Sequence, residues 1–143
     1  LHADLPCLTG EDVTAVLHAM RLTGGLIVAC DRHAQGTNLL AFDAGNRPDF
    51  LFGVDSCARH CASARELGIG YRVLHRPGSS LDVDMPEDIK LFIAQVDRGA
   101  AGHSANMLQQ PNTGPRIRAQ LDSMVVTLQS ANTLTAKVSQ LNG

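Results

Sequence analysis

The chain lacks any apolar run of the roughly 20 residues that a membrane-spanning helix needs. It also shows no signal-peptide pattern of basic, apolar and small residues in order. Basic residues are not in excess. Twelve Lys and Arg stand against 14 Asp and Glu, for a formal net charge of −2. Gripping a nucleic-acid backbone takes clustered Lys and Arg, so nucleic acid is excluded as a main partner. Disulfide-rich spacing is absent too. The four cysteines are Cys7, Cys30, Cys57 and Cys61, and a chain of this size needs no stapling. They are expected to be reduced thiols in a cytoplasmic protein. Cys57, His60 and Cys61 fall short of a zinc site, because a structural zinc takes four ligands and no second pair matches. What remains is a chain of 143 residues, 44% apolar, enough for one domain with a core. It opens at Leu1 rather than Met, at what reads as the end of a buried strand, and is expected to be part of a longer protein.

Local patterns predict alternating helices and short strands. Thr9 is a candidate N-cap with Asp12 at the third helical position. Val13, Val16, Leu17 and Met20 then share one helical face, and Gly24-Gly25 ends the helix. Leu26 to Cys30 reads as a buried strand. A polar loop ending in Gly36-Thr37-Asn38 leads to a second strand, Leu39 to Phe42. A helix follows from Ser56, its candidate N-cap, to Gly68, then a strand from Tyr71 to Leu74 and a loop from Arg76 to Ser80. This alternation predicts an α/β sheet with parallel members.

Residues 98–116 are rich in Gly, Ala, Ser, Asn, Gln and Pro and read as a linker. Beyond it, Ile117, Leu121, Met124, Leu128 and Ala131 recur at steps of four and three, and Leu134, Val138 and Leu141 continue after a slip. This predicts a helical tail over 117–143, packed on the domain or on a partner, a second copy of the chain included. The reading therefore divides the chain into a domain at 1–97, a linker at 98–116 and a tail.

The acids carry the chemistry. Asp82 and Asp84, in Leu81-Asp82-Val83-Asp84-Met85-Pro86-Glu87-Asp88, point to one side if the segment is extended. Pro86 then opens a helix, where its missing N–H costs nothing. Asp4, in Ala3-Asp4-Leu5-Pro6, sits in a similar place. In such sheets ligands bind beyond the carboxyl ends of the strands. Converging carboxylates there suit a hard cation such as magnesium, and so phosphate chemistry. Glu87 and Asp88 fall in the first helical turn and are expected to serve only the helix.

These segments resemble a known family. Ala3-Asp4-Leu5-Pro6, Gly36-Thr37-Asn38, Phe52-Gly53-Val54-Asp55-Ser56-Cys57-Ala58-Arg59-His60 and the acidic run occur in the order and spacing of the 2-phospho-L-lactate guanylyltransferases. That family includes phosphoenolpyruvate-using members and serves biosynthesis of coenzyme F-420. The resemblance covers residues 1 to 97. It implies a nucleotidyltransferase fold of the glycosyltransferase-A type, a mixed sheet flanked by helices, here without its N-terminal part. It also implies transfer of GMP from GTP to the phosphate of a small three-carbon acid (2-phospho-L-lactate, phosphoenolpyruvate or 3-phosphoglycerate). Carried over by motif, Asp4 and Asp82, with Asp84 beside them, would hold magnesium. Thr37, Gly53 and Ser56 would bind the phosphorylated acid. Arg59 is a further candidate partner for an anion.

The chain departs from the family at Met85, where Thr is usual and would complete a capping box with Asp88. The family's upstream half, with the nucleotide-binding loop, has no counterpart here, so residues 1–143 alone are expected to be inactive. Two other readings remain open at this point: a related nucleotidyltransferase of molybdenum-cofactor or sugar-phosphate type, and a non-catalytic interaction module.

Overall fold

The computed structural model describes residues 4–141. The elements run α1 (Gly10–Thr23), β1 (Leu26–Cys30), β2 (Thr37–Ala41), a 3-10 turn (Ala44–Asn46), α2 (Ser56–Glu66), β3 (Tyr71–Leu74), α3 (Pro77–Ser80), α4 (Pro86–Asp97), α5 (His103–Gln109) and α6 (Gly114–Leu141). The expected strand end at the chain's opening lies outside the described residues.

The sheet is mixed and its order is β2-β1-β3. β1 pairs antiparallel with β2 and parallel with β3. All five residues of β1 are buried, because helices cover both faces of the sheet. Ile27 and Ala29 pack against Val16 and Ala19 of α1. Leu26, Val28 and Cys30 pack on the other side against Cys57 and Ala64 of α2. The architecture is α/β with flanking helices, as the alternation predicted. The inward face of α1 is Asp12, Val16 and Ala19. Leu17, expected on that face, is exposed.

α1 begins with the expected capping box. The Asp12 N–H donates to Thr9 Oγ1 and the Thr9 N–H donates to Asp12 Oδ2, both at 3.1 Å. Gly24 ends the helix in the left-handed conformation, φ 62°. Asp12 also pairs with Arg76 Nε at 3.0 Å, which ties α1 to α3.

Four expectations are corrected. The 98–116 stretch carries α5, and its Ala105 and Leu108 are buried with Cys7, Leu81, Phe92 and Val96 in one cluster. Small and polar composition hid two apolar side chains placed three apart on one helical face. α6 starts at Gly114 rather than 117, and Ile117 and Leu121 pack against that same cluster. The next buried residue on α6 is Val125, whereas Met124 of the predicted stripe is 53% exposed. Steps of four, not alternating steps, follow the packed face. Residues 81–84 join no strand, and a short helix, α3, stands where a loop was expected before them. The cysteines are not all free thiols. Cys30 and Cys57 form a disulfide, with Cα atoms 6.0 Å apart, while Cys7 and Cys61 are free. The fold brings the end of β1 onto the first turn of α2, a meeting that a spacing of 27 residues does not reveal.

A candidate acceptor and cation cleft

Two loops and two acidic segments meet beyond the end of β1 and the start of β2. After β1, Asp31 folds the chain back on itself. Its Oδ1 accepts from the N–H groups of His33 and Gln35 at 3.2 and 2.9 Å, and its own N–H donates to the Gly36 carbonyl at 3.1 Å. This turn delivers Thr37 and Asn38 into β2 as buried residues, so the strand begins two positions earlier than predicted. The Asn38 amide donates to the Ser79 carbonyl at 2.9 Å and so holds α3 against the sheet.

The second wall is the loop before α2. Phe50 lies 5.9 Å from Phe42 and 6.3 Å from Phe52, and Phe52 meets the His60 ring edge-on at 5.1 Å. This ladder fixes the loop just before Gly53. Gly53 has φ 102°, a conformation open essentially to glycine alone. The Ser56 N–H donates back to the Gly53 carbonyl at 3.1 Å. Asp55, with φ 54°, is the N-cap, and Ser56 is the first helical residue. That corrects the expectation for Ser56, which is buried rather than capping.

The acidic segments are joined backbone to backbone. The Val83 N–H donates to the Asp4 carbonyl at 3.1 Å. Asp88 anchors the acidic run from within α4. Its Oδ2 accepts from the N–H groups of Met85 and Asp84 at 2.8 and 3.1 Å, and its Oδ1 accepts from Arg32 at 2.6 Å. Burial pushes the Asp88 carboxyl up, but the two N–H donors and Arg32 outweigh it, and the net shift is downward. Arg32 also lies 3.9 Å from Asp82. Asp88 thus does more than serve its helix, since it fixes the cation beside Asp82.

The result is one cleft of about 430 Å³ lined by Asp4, Thr37, Gly53, Ser56, Asp82 and Asp84, together with Asp31 and Asn38. All six residues singled out from the sequence line it. Arg59 does not, and stands exposed on α2. Asp31 and Arg32 escaped the sequence reading. The signal for Asp31 was its place directly after a buried parallel strand. Arg32 carried none, because its partner Asp88 is 56 residues away.

A family model described as "Guanylyl transferase CofC like" matches residues 1–119. The chain belongs to the CofC-like guanylyl transferase family. Among curated relatives, a phosphoenolpyruvate guanylyltransferase of Conexibacter woesei is 39% identical over 115 residues, covering 77% of this chain and 51% of that protein. One of the same name from Chloroflexus aggregans is 39% identical over 94 residues, covering 66% and 46%. A 3-phospho-D-glycerate guanylyltransferase of Phenylobacterium zucineum is 39% identical over 102 residues, covering 71% and 44%. The chain spans about half the length of the curated relatives it matches. Within the family, the mixed sheet and its flanking helices are an α/β, nucleotidyltransferase-like fold. Among the described residues no helix is long and apolar enough to cross a membrane.

Proposed function

We propose that this chain supplies the acceptor and cation side of a guanylyltransferase, one that moves GMP from GTP to the phosphate of a small three-carbon acid and releases pyrophosphate. The observation that carries the reading is the single cleft joining Asp4, Asp82 and Asp84 to Thr37, Gly53 and Ser56, in a family whose relatives are named for phosphoenolpyruvate and 3-phospho-D-glycerate. The product class is that of coenzyme F-420 biosynthesis, and GTP makes the setting cytoplasmic.

The residues suit the two substrates differently. Thr37 offers a hydroxyl, and the turn from Gly53 to Ser56 opens α2, whose N-terminus favours an anion. These would hold the acid's phosphate and carboxylate. The acceptor oxygen is already ionised, so no strong general base is required, and the task is positioning two anions. Asp4, Asp82 and Asp84 are hard oxygen donors of the kind magnesium takes, one or two carboxylates with substrate phosphates completing the shell. Among the described residues no group of three or more acids, cysteines or histidines is arranged to hold a metal ion. When bound, magnesium would neutralise the two anions and stabilise the leaving pyrophosphate.

Residues 1–143 by themselves are proposed to bind the acid without turning over GTP. The test is pyrophosphate release from GTP and phosphoenolpyruvate by this chain joined to the part of the Conexibacter woesei relative that it does not cover. Activity there that is lost with Asp82→Asn supports the reading. Activity unchanged by Asp82→Asn overturns it.

A further inference from the structure

His60 is completely buried on α2, 0% exposed, behind the cleft wall. Its Nε2 accepts the Leu51 N–H at 2.9 Å. A ring nitrogen that accepts from a backbone N–H carries no proton, so a neutral imidazole has its proton on Nδ1. Nδ1 lies 3.0 Å from Thr37 Oγ1. Burial first, and the Arg59 charge with it, lower the His60 pKa from its ordinary value, against the Ser56 backbone, which raises it. The His60 Nδ1–H therefore donates a hydrogen bond to Thr37 Oγ1, which accepts it, and the Thr37 hydrogen is left for another acceptor. This is the one side-chain hydrogen bond that Thr37 makes among the described residues.

A threonine hydroxyl facing an anion is useful only with its hydrogen forward, since a forward lone pair repels. Thr37 lines the cleft and His60 does not. We infer that His60 is a positioning residue that fixes the Thr37 hydroxyl as a donor toward a phosphate or carboxylate oxygen of the acid. The same ring holds Leu51, two residues before Gly53, so it locks β2 and the Gly53 loop at one spacing. This rests on reading the cleft as the acceptor site.

Two experiments on the full chain test it. Heteronuclear NMR of the ring nitrogens should find His60 protonated on Nδ1 and bare on Nε2. The opposite tautomer overturns the inference whatever the ligand. Calorimetry with phosphoenolpyruvate and magnesium then compares the wild type, Thr37→Val, His60→Phe and the double variant. Losing one hydrogen bond to a charged group should weaken binding about tenfold for Thr37→Val in the wild type, and under about threefold in the His60→Phe background. An equal loss in both backgrounds leaves His60 a packing residue only and overturns the inference. Thr37→Val without effect in the wild type, or no binding at all, overturns the acceptor-site reading on which the inference stands. The tautomer measurement separates the two failures and needs no folded variant.

Discussion

Arg32 Nη2 lies 2.6 Å from Asp88 Oδ1 and Arg32 Nη1 lies 3.9 Å from Asp82 Oδ1. One guanidinium on the loop after β1 thus spans a buried helix cap and a cleft carboxylate. Asp88 is 4% exposed at its side chain and Arg32 is 32% exposed. The contact should be stronger than a surface pair and weaker than a dry one. Arg32→Ala is expected to cost about 1–2 kcal/mol in urea denaturation, because Asp88 keeps two backbone donors. Arg32→Lys should recover only part, lacking the planar fork that reaches both acids.

Gly53→Ala tests the loop geometry. At φ 102° a Cβ is strained although nothing stands within 4 Å of it. The expected cost is about 1–3 kcal/mol of local strain, met by the loop shifting. Binding of phosphoenolpyruvate should weaken while far-UV dichroism stays unchanged. Unaltered binding would show that the Gly53 turn does not shape the site.

His60 gives the pH dependence. Its folded pKa lies below the ordinary 6.5, so the unfolded chain binds more protons between the two values. Stability should therefore rise with pH in that window, and fall as pH drops from about 6.5 toward the lower folded value. Denaturation midpoints across this range should show the slope in the wild type and lose it in His60→Phe. A slope that persists in the variant assigns it to other groups.

The Cys30–Cys57 disulfide closes a loop of 27 residues. A cross-link of that length contributes about 3–4 kcal/mol through the unfolded chain. Reductant should lower the denaturation midpoint of the wild type and leave that of Cys30→Ser unmoved. Equal midpoints with and without reductant in the wild type would mean the bond does not form in solution.

Much of the scaffold was legible because its signals are local. The Thr9–Asp12 box, the apolar run of β1 and Pro86 at the start of α4 each act within a few residues. The six cleft residues were legible only through their motifs. What escaped depended on chain folding. Ala105 and Leu108 entered the core from a segment whose composition reads as linker, and Val125 replaced Met124 on the packed face. Arg32 with Asp88, Cys30 with Cys57 and Thr37 with His60 meet across separations of 56, 27 and 23 residues. No local pattern reports such pairs, because each partner alone has an ordinary role.

Amide NMR of this chain titrated with phosphoenolpyruvate and magnesium tests whether the cleft takes the acid and its cation. Shifts are expected to concentrate at Thr37, Gly53, Ser56, Asp82 and Asp84, around the cleft they line. Shifts confined instead to the separate cavity lined by Thr14 and His18 of α1, or no shifts at all, would contradict that assignment.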